Sequence, residues 1–145
     1  MKTIKFLAVL SIGLMLTACN GQNKSKDQSL DQSISKIEVL DFHSTHRCMT
    51  CNDIEANTEY TLDTYFSNEL KESKITFQVI NVDEKKNEKI AEKFEASGTA
   101  LFMNVIKSGN ETQIDLTEFA FMKGVDQEAF SKELKSKIES ELKML

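Results

Sequence analysis

Ile37-Glu38-Val39-Leu40-Asp41-Phe42, then His43-Ser44-Thr45-His46-Arg47, then Cys48-Met49-Thr50-Cys51: this run decides how the rest of the chain is read. Its first part alternates like a strand. The segment after it, Asn52 to Leu70, repeats apolar side chains at helical spacing through Ile54, Thr58, Leu62, Phe66 and Leu70. A strand, a loop, two cysteines three apart and then a helix is the arrangement of a thiol–disulfide site. Cysteines at that spacing can close a small disulfide ring, and a helix N-terminus stabilises the thiolate that attacks disulfides.

The N-terminus reads as an address. Lys2 and Lys5 precede an apolar core from Phe6 to Leu16, too short to remain as a membrane span. Leu16-Thr17-Ala18-Cys19 follows and resembles the lipobox of bacterial lipoproteins, in which the cysteine is lipidated and becomes the first mature residue. Residues 1–18 are thus expected to be a lipoprotein signal peptide. Residues 19–35, beginning with lipidated Cys19 and polar almost throughout, are expected to be a flexible tether. A coil of that length reaches roughly 20–25 Å, which would keep the domain near a membrane surface. With Cys19 committed to lipid, Cys48 and Cys51 have no third cysteine in the chain to exchange with, so an exchange partner is another molecule.

Residues 36–145 suit a single domain. The net charge is −5, and removal of Lys2 and Lys5 with the signal takes it to −7. Nucleic-acid binding needs a basic face, so this balance argues against it. The pattern along the domain is β-α-β-α-β-β-α. Strands are expected at Lys36 to Phe42, Lys74 to Val82, Leu101 to Ile106 and Glu111 to Asp115. Helices are expected at Cys48 to Leu70, at Asn87 to Ala96 with Gly98 just past its end, and from Asp126 onward. Lys107-Ser108-Gly109-Asn110 reads as a hairpin turn. Phe119, Phe121 and Met122, within Leu116 to Gly124, read as packing residues beneath a loop.

This order of elements, with Asp41-Phe42 shortly before the cysteines, Gly98-Thr99-Ala100 before the third strand and the Lys107–Glu111 hairpin, resembles the thioredoxin superfamily over nearly all of residues 36–145. The resemblance implies an α/β fold, a three-layer α/β/α sandwich around a central mixed sheet. It implies a thiol–disulfide oxidoreductase whose only redox group is its own Cys48–Cys51 pair. Its partners would be protein thiols or disulfides, in a bacterial cell envelope facing the periplasm or the exterior. Thr99 and Ala100 would line the substrate groove, and Asp41 resembles the buried acid that takes the resolving cysteine's proton. A strand-end residue pointing to solvent is the other reading of Asp41.

Cys48, nearer the helix start, is expected to be the nucleophile and Cys51 the resolving thiol. Arg47, with His46, is expected to favour the Cys48 thiolate, and Asp53 and Glu55 in the first helical turn to oppose it. The chain departs from the family pattern. It has no proline, Ala100 stands at the usual cis-proline position, Arg47 replaces the usual tryptophan, and Met49-Thr50 replaces Gly-Pro between the cysteines. The peptide before Ala100 is expected to be trans, since a cis bond there costs about 3–4 kcal/mol. Two other functions are open to the same residues. His43, His46, Cys48 and Cys51 offer two imidazoles and two thiols to Zn2+ or copper, as in a metallochaperone or sensor. A structural Cys48–Cys51 disulfide in a non-enzymatic interaction domain is the third.

The mature native protein is expected to begin at a lipid-bearing Cys19. Mass spectrometry of its N-terminus checks this, and an unmodified Cys19 would overturn it.

Overall fold

Strand β1 (Lys36–His43) carries apolar side chains on both faces, so both faces must be covered. The computed structural model describes residues 35–145; the expected signal peptide, Cys19 and the tether before Ser35 lie outside the described residues. Within them β1 is central. It pairs in parallel with β2 (Ile75–Asn81) and antiparallel with β3 (Ala100–Lys107), and β3 pairs antiparallel with β4 (Asn110–Asp115). The strand order is β2-β1-β3-β4.

On one face Ile37, Val39, Leu101, Met103 and Val105 meet Ile54 and Leu62 of helix α1 (Met49–Tyr65). Helices α4 (Thr117–Lys123) and α5 (Gln127–Leu142) close the same core with Ala120, Phe130, Leu134 and Ile138. On the other face Leu40, Phe42 and Phe102 pack against Phe94, which follows helix α3 (Glu88–Lys93). The three aromatic rings there lie 5.3–5.9 Å apart, with edge and tilted geometry. The result is a mixed sheet with helices on both sides, as the sequence implies.

The differences are local. The long helix expected from Cys48 to Leu70 is two helices: Phe66 leaves helical geometry (φ −130°, ψ 24°), and α2 (Ser67–Lys71) follows it. Burial of the Phe66 side chain and the poor helix formers Ser67 and Asn68 account for the break. Cys48 caps α1 rather than lying within it, so Asp53 and Glu55 fall beyond the first turn. The second strand ends at Asn81, not Val82. The second predicted helix is shorter than Asn87 to Ala96: a 3-10 turn at Lys85–Asn87 precedes α3, and the chain leaves it through Glu95 in left-handed geometry (φ 52°), not at Gly98. The segment read as a loop over packing residues contains α4. Of its apolar side chains Phe119 packs on Phe130 (4.9 Å between ring centres), whereas Phe121 and Met122 are exposed. At the hairpin Ser108 and Gly109 both take positive φ (51° and 80°), the mirror-image turn that matches strand twist. Asp126 caps α5 through its bond from the Ala129 amide, as its sequence position predicts.

Phe130 is fully buried in the core and packs against Phe119 of α4. Phe130→Ala is expected to lose about 3–5 kcal/mol of stability, read as a lower urea midpoint with an unchanged slope.

Candidate functional site

β1 ends and α1 begins on the same side of the sheet, joined by residues 44–48. That loop is fixed at its outer edge. The Thr45 amide donates to Asp83 Oδ2 (2.7 Å), Asn81 Nδ2 donates to the Thr45 hydroxyl (3.2 Å), and the Val82 amide donates to the His43 carbonyl (2.8 Å). The Thr45 amide and then its hydroxyl, bonding to Asp83, hold that carboxyl below its ordinary range, since they favour its charged form. Gly98 lies against Ser44, where a Cβ would meet Ser44 Oγ at 3.7 Å, so the Gly98-Thr99-Ala100 segment runs beside the loop. Ala100 opens β3 opposite Phe42, and no peptide bond among the described residues is cis.

Cys48 is exposed, and its extended backbone (φ −77°, ψ 168°) makes it the N-cap of α1. The Cys51 amide donates to Cys48 Sγ (3.2 Å), so a backbone N–H of the first turn points at this sulfur. The same amide, with the helix dipole, would stabilise a thiolate here. Cys51 is buried, and the two cysteines are joined as a disulfide. Gly124, at the end of α4, abuts this turn: a Cβ on it would lie 3.3 Å from Thr50 Cγ2 and 3.0 Å from Ile54 Cγ1. Asn57 Nδ2 donates to the Gly124 carbonyl (2.7 Å), tying α4 to α1.

Asp41 is linked to this turn through Arg47, whose Nη2 reaches both the Cys51 carbonyl and Asp41 Oδ2. Strand alternation puts it on the same face as Ile37 and Val39, the face α1 covers, and its side chain is fully buried. Of its two sequence readings, the buried one is what the structure has. Burial pushes the carboxyl up from 3.8 to about 7; the positive charge of Arg47 opposes this, and the negative charge of Glu55 adds to it. Arg47 does not reach out over Cys48. Its guanidinium folds inward, donating to Glu55 Oε2, to the Cys51 carbonyl (3.0 Å) and, at the longer distance of 3.5 Å, to Asp41 Oδ2. Asp41 Oδ1 is buried with no hydrogen-bond partner among the described residues, leaving an oxygen on which a proton can sit.

The expected site residues Asp41, Arg47, Cys48 and Cys51 are therefore brought together, with Thr99 and Ala100 alongside the loop. The sequence marks Glu55 only as a charge near the helix start; in the structure it is a partner of Arg47. Its spacing from Cys51, four residues along α1 and on one helix face, is the signal that could have found it. His46 is exposed, and His43 turns Nδ1 to the Ser44 carbonyl (2.9 Å). Among the described residues no three His, Cys, Asp or Glu side chains converge to hold a metal ion.

A parallel pair β1–β2 crossed by a helix, an antiparallel β3–β4 hairpin and a Cys-x-x-Cys disulfide capping the first helix settle the fold. The fold is thioredoxin-like. No family model matches the chain, and no curated protein matches it. Among solved structures it is similar to thioredoxin of Fasciola hepatica, at 21% identity and a TM-score of 0.41, over 64% of this chain and 80% of that one. It is also similar to a malarial protein, at 19% identity and a TM-score of 0.39, over 61% of this chain and 94% of that one.

The position of Asp41 in this thioredoxin-like fold has a consequence for stability. Its folded carboxyl, at about 7, keeps a proton that the unfolded chain loses near 3.8. Native stability therefore falls as pH rises from about 4 to about 7 and levels off above that. Asp41→Asn removes this dependence. The variant is expected to match wild type below pH 4 and to exceed it at pH 8 by up to about 4 kcal/mol, the value of three pKa units. Urea unfolding of the oxidised proteins across pH 4–8 checks the sign and the window.

Proposed function

We propose that the protein is a membrane-tethered, extracytoplasmic thiol–disulfide oxidoreductase that exchanges the Cys48–Cys51 pair with thiols or disulfides of partner proteins. The observation that carries this reading is the asymmetry of the pair. Cys48 is exposed at a helix cap with an amide aimed at its sulfur, while Cys51 is buried beside the guanidinium that also touches Asp41. An attacking thiol needs access and a stabilised thiolate; a resolving thiol needs shelter and a base. A purely structural disulfide needs none of these.

In the reducing direction the Cys48 thiolate attacks a partner disulfide. A Cys48–partner bond forms, and the partner's first sulfur leaves as a thiolate. Cys51 then passes its proton to Asp41 and attacks Cys48 Sγ. The Cys48–Cys51 bond forms, and the partner's second sulfur leaves. Two thiols of this protein are oxidised and one partner disulfide is reduced. The oxidising direction is the same sequence reversed, with Asp41 returning the proton to Cys51. Thr99 and Ala100, at the start of β3 beside the loop, are suited to flank the partner's chain. The lipobox-like Leu16-Thr17-Ala18-Cys19 supports tethering to a membrane of the cell envelope.

Cys48→Ser is expected to abolish turnover of a protein-disulfide reporter, while Cys51→Ser is expected to accumulate a mixed disulfide through Cys48. Non-reducing electrophoresis with mass mapping reads both. Full activity in both variants, or greater alkylation of Cys51 than of Cys48 in the reduced protein, would overturn the assignment. Loss of cooperative unfolding on reduction, without reporter turnover, would point instead to an interaction domain stapled by a structural disulfide.

A further inference from the structure

Arg47 has one positive charge and three acceptors. Its Nη1 is committed to Glu55. Its Nη2 is divided between the Cys51 carbonyl at 3.0 Å and Asp41 at 3.5 Å, so Asp41 has the longest and weakest share. A guanidinium placed squarely on a buried carboxylate would hold that carboxylate charged and spend its lone pairs, making it a poor proton acceptor. Here the second carboxylate, on the next turn of α1 after Cys51, draws the cation aside.

We infer that Glu55 is a positioning residue of the thiol-exchange site: by drawing Arg47 to itself it keeps Asp41 free to accept the Cys51 proton. This rests on the thiol-exchange reading for its role in the reaction, though not for its effect on Asp41. Among the described residues the charges that act on Asp41 are Arg47, from the loop, and Glu55, from α1. Its neighbours across the sheet, Val79 on β2 and Leu101 on β3, carry no charge. His43, two residues on along β1, directs Nδ1 to the Ser44 carbonyl. The burial of Asp41 opposes its charge, Arg47 supports it and Glu55 opposes it, in agreement with the distances. Arg47 remains anchored to the Cys51 carbonyl when Glu55 is neutralised, so the released charge turns to Asp41.

The step concerned is proton transfer from Cys51 Sγ to Asp41 as Cys51 attacks Cys48. The Cys48–Cys51 bond forms, the Cys48–partner bond breaks, and the partner leaves as a thiolate. The test is a carboxyl titration of Asp41 by NMR in the oxidised protein, where no turnover is needed, paired with the pH profile of mixed-disulfide resolution in the reduced one. Glu55→Gln is expected to lower the Asp41 midpoint by about one pH unit, a tenfold loss of proton affinity, and to move the resolution profile with it. Arg47→Gln is expected to raise the midpoint, and Glu55→Asp to stay near wild type. An Asp41 midpoint that Glu55→Gln leaves in place or raises would overturn the inference, even where the wild type turns over a disulfide reporter. Midpoints that move as stated while no protein, wild type included, turns over the reporter would uphold the Glu55–Arg47–Asp41 linkage and remove the oxidoreductase reading.

Discussion

β1 is paired on both edges and apolar on both faces, and the rest of the domain answers to that. A strand so placed cannot face water. One side is closed by α1, α4 and α5, the other by Phe94 and the short α3. Because side chains alternate across a strand, Asp41, set among the residues of this buried strand, is forced into the α1 side of the core. A carboxyl there is costly to ionise, and this cost, more than any single contact, gives the site its character.

The charges around Asp41 relieve that cost only in part. Arg47, Glu55, Asp41 and the Cys51 carbonyl form a single network, in which one cation serves two carboxylates. Such an arrangement is weak support for stability, because each buried charge gives up hydration to join it. It is better suited to leaving a carboxyl undecided between its charged and neutral forms near neutral pH. Through Arg47 the network also reaches the backbone of the Cys-x-x-Cys turn.

Much of this was legible in the chain. The stripe Ile54, Thr58, Leu62 and Phe66 is buried as its spacing requires, the β-branched and apolar runs are strands, and Asp126 is a cap. The cysteine pair, with Asp41 before it, marked the site. What the sequence did not show is instructive. Phe66 breaks α1 because its ring is held by the core, which the poor helix formers Ser67 and Asn68 after it only foreshadow. The segment Leu116 to Gly124 has too short a pattern to be told from a packed loop; it becomes α4 because Ala120 and Phe119 find places on the core and Gly124 fits against Thr50 and Ile54 without a side chain. Arg47 pointed, by sequence adjacency, to Cys48, and its acceptors lie elsewhere because a guanidinium seeks the carboxylates within its reach.

The sequence alone determined the class of fold and the position of the thiol pair at a helix start, because each depends on periodicity or on spacing within a few residues; the candidacy of Asp41 came from the resemblance of Asp41-Phe42 before the cysteines to the thioredoxin pattern. It also carries the lipobox-like tetrad ahead of the domain. Only the tertiary structure decided that Asp41 is buried, that Arg47 turns inward, and that Glu55 takes most of its charge. Burial and ion pairing depend on which elements pack together in space, and that information is shared between β1, the loop and α1 and belongs to none of them singly.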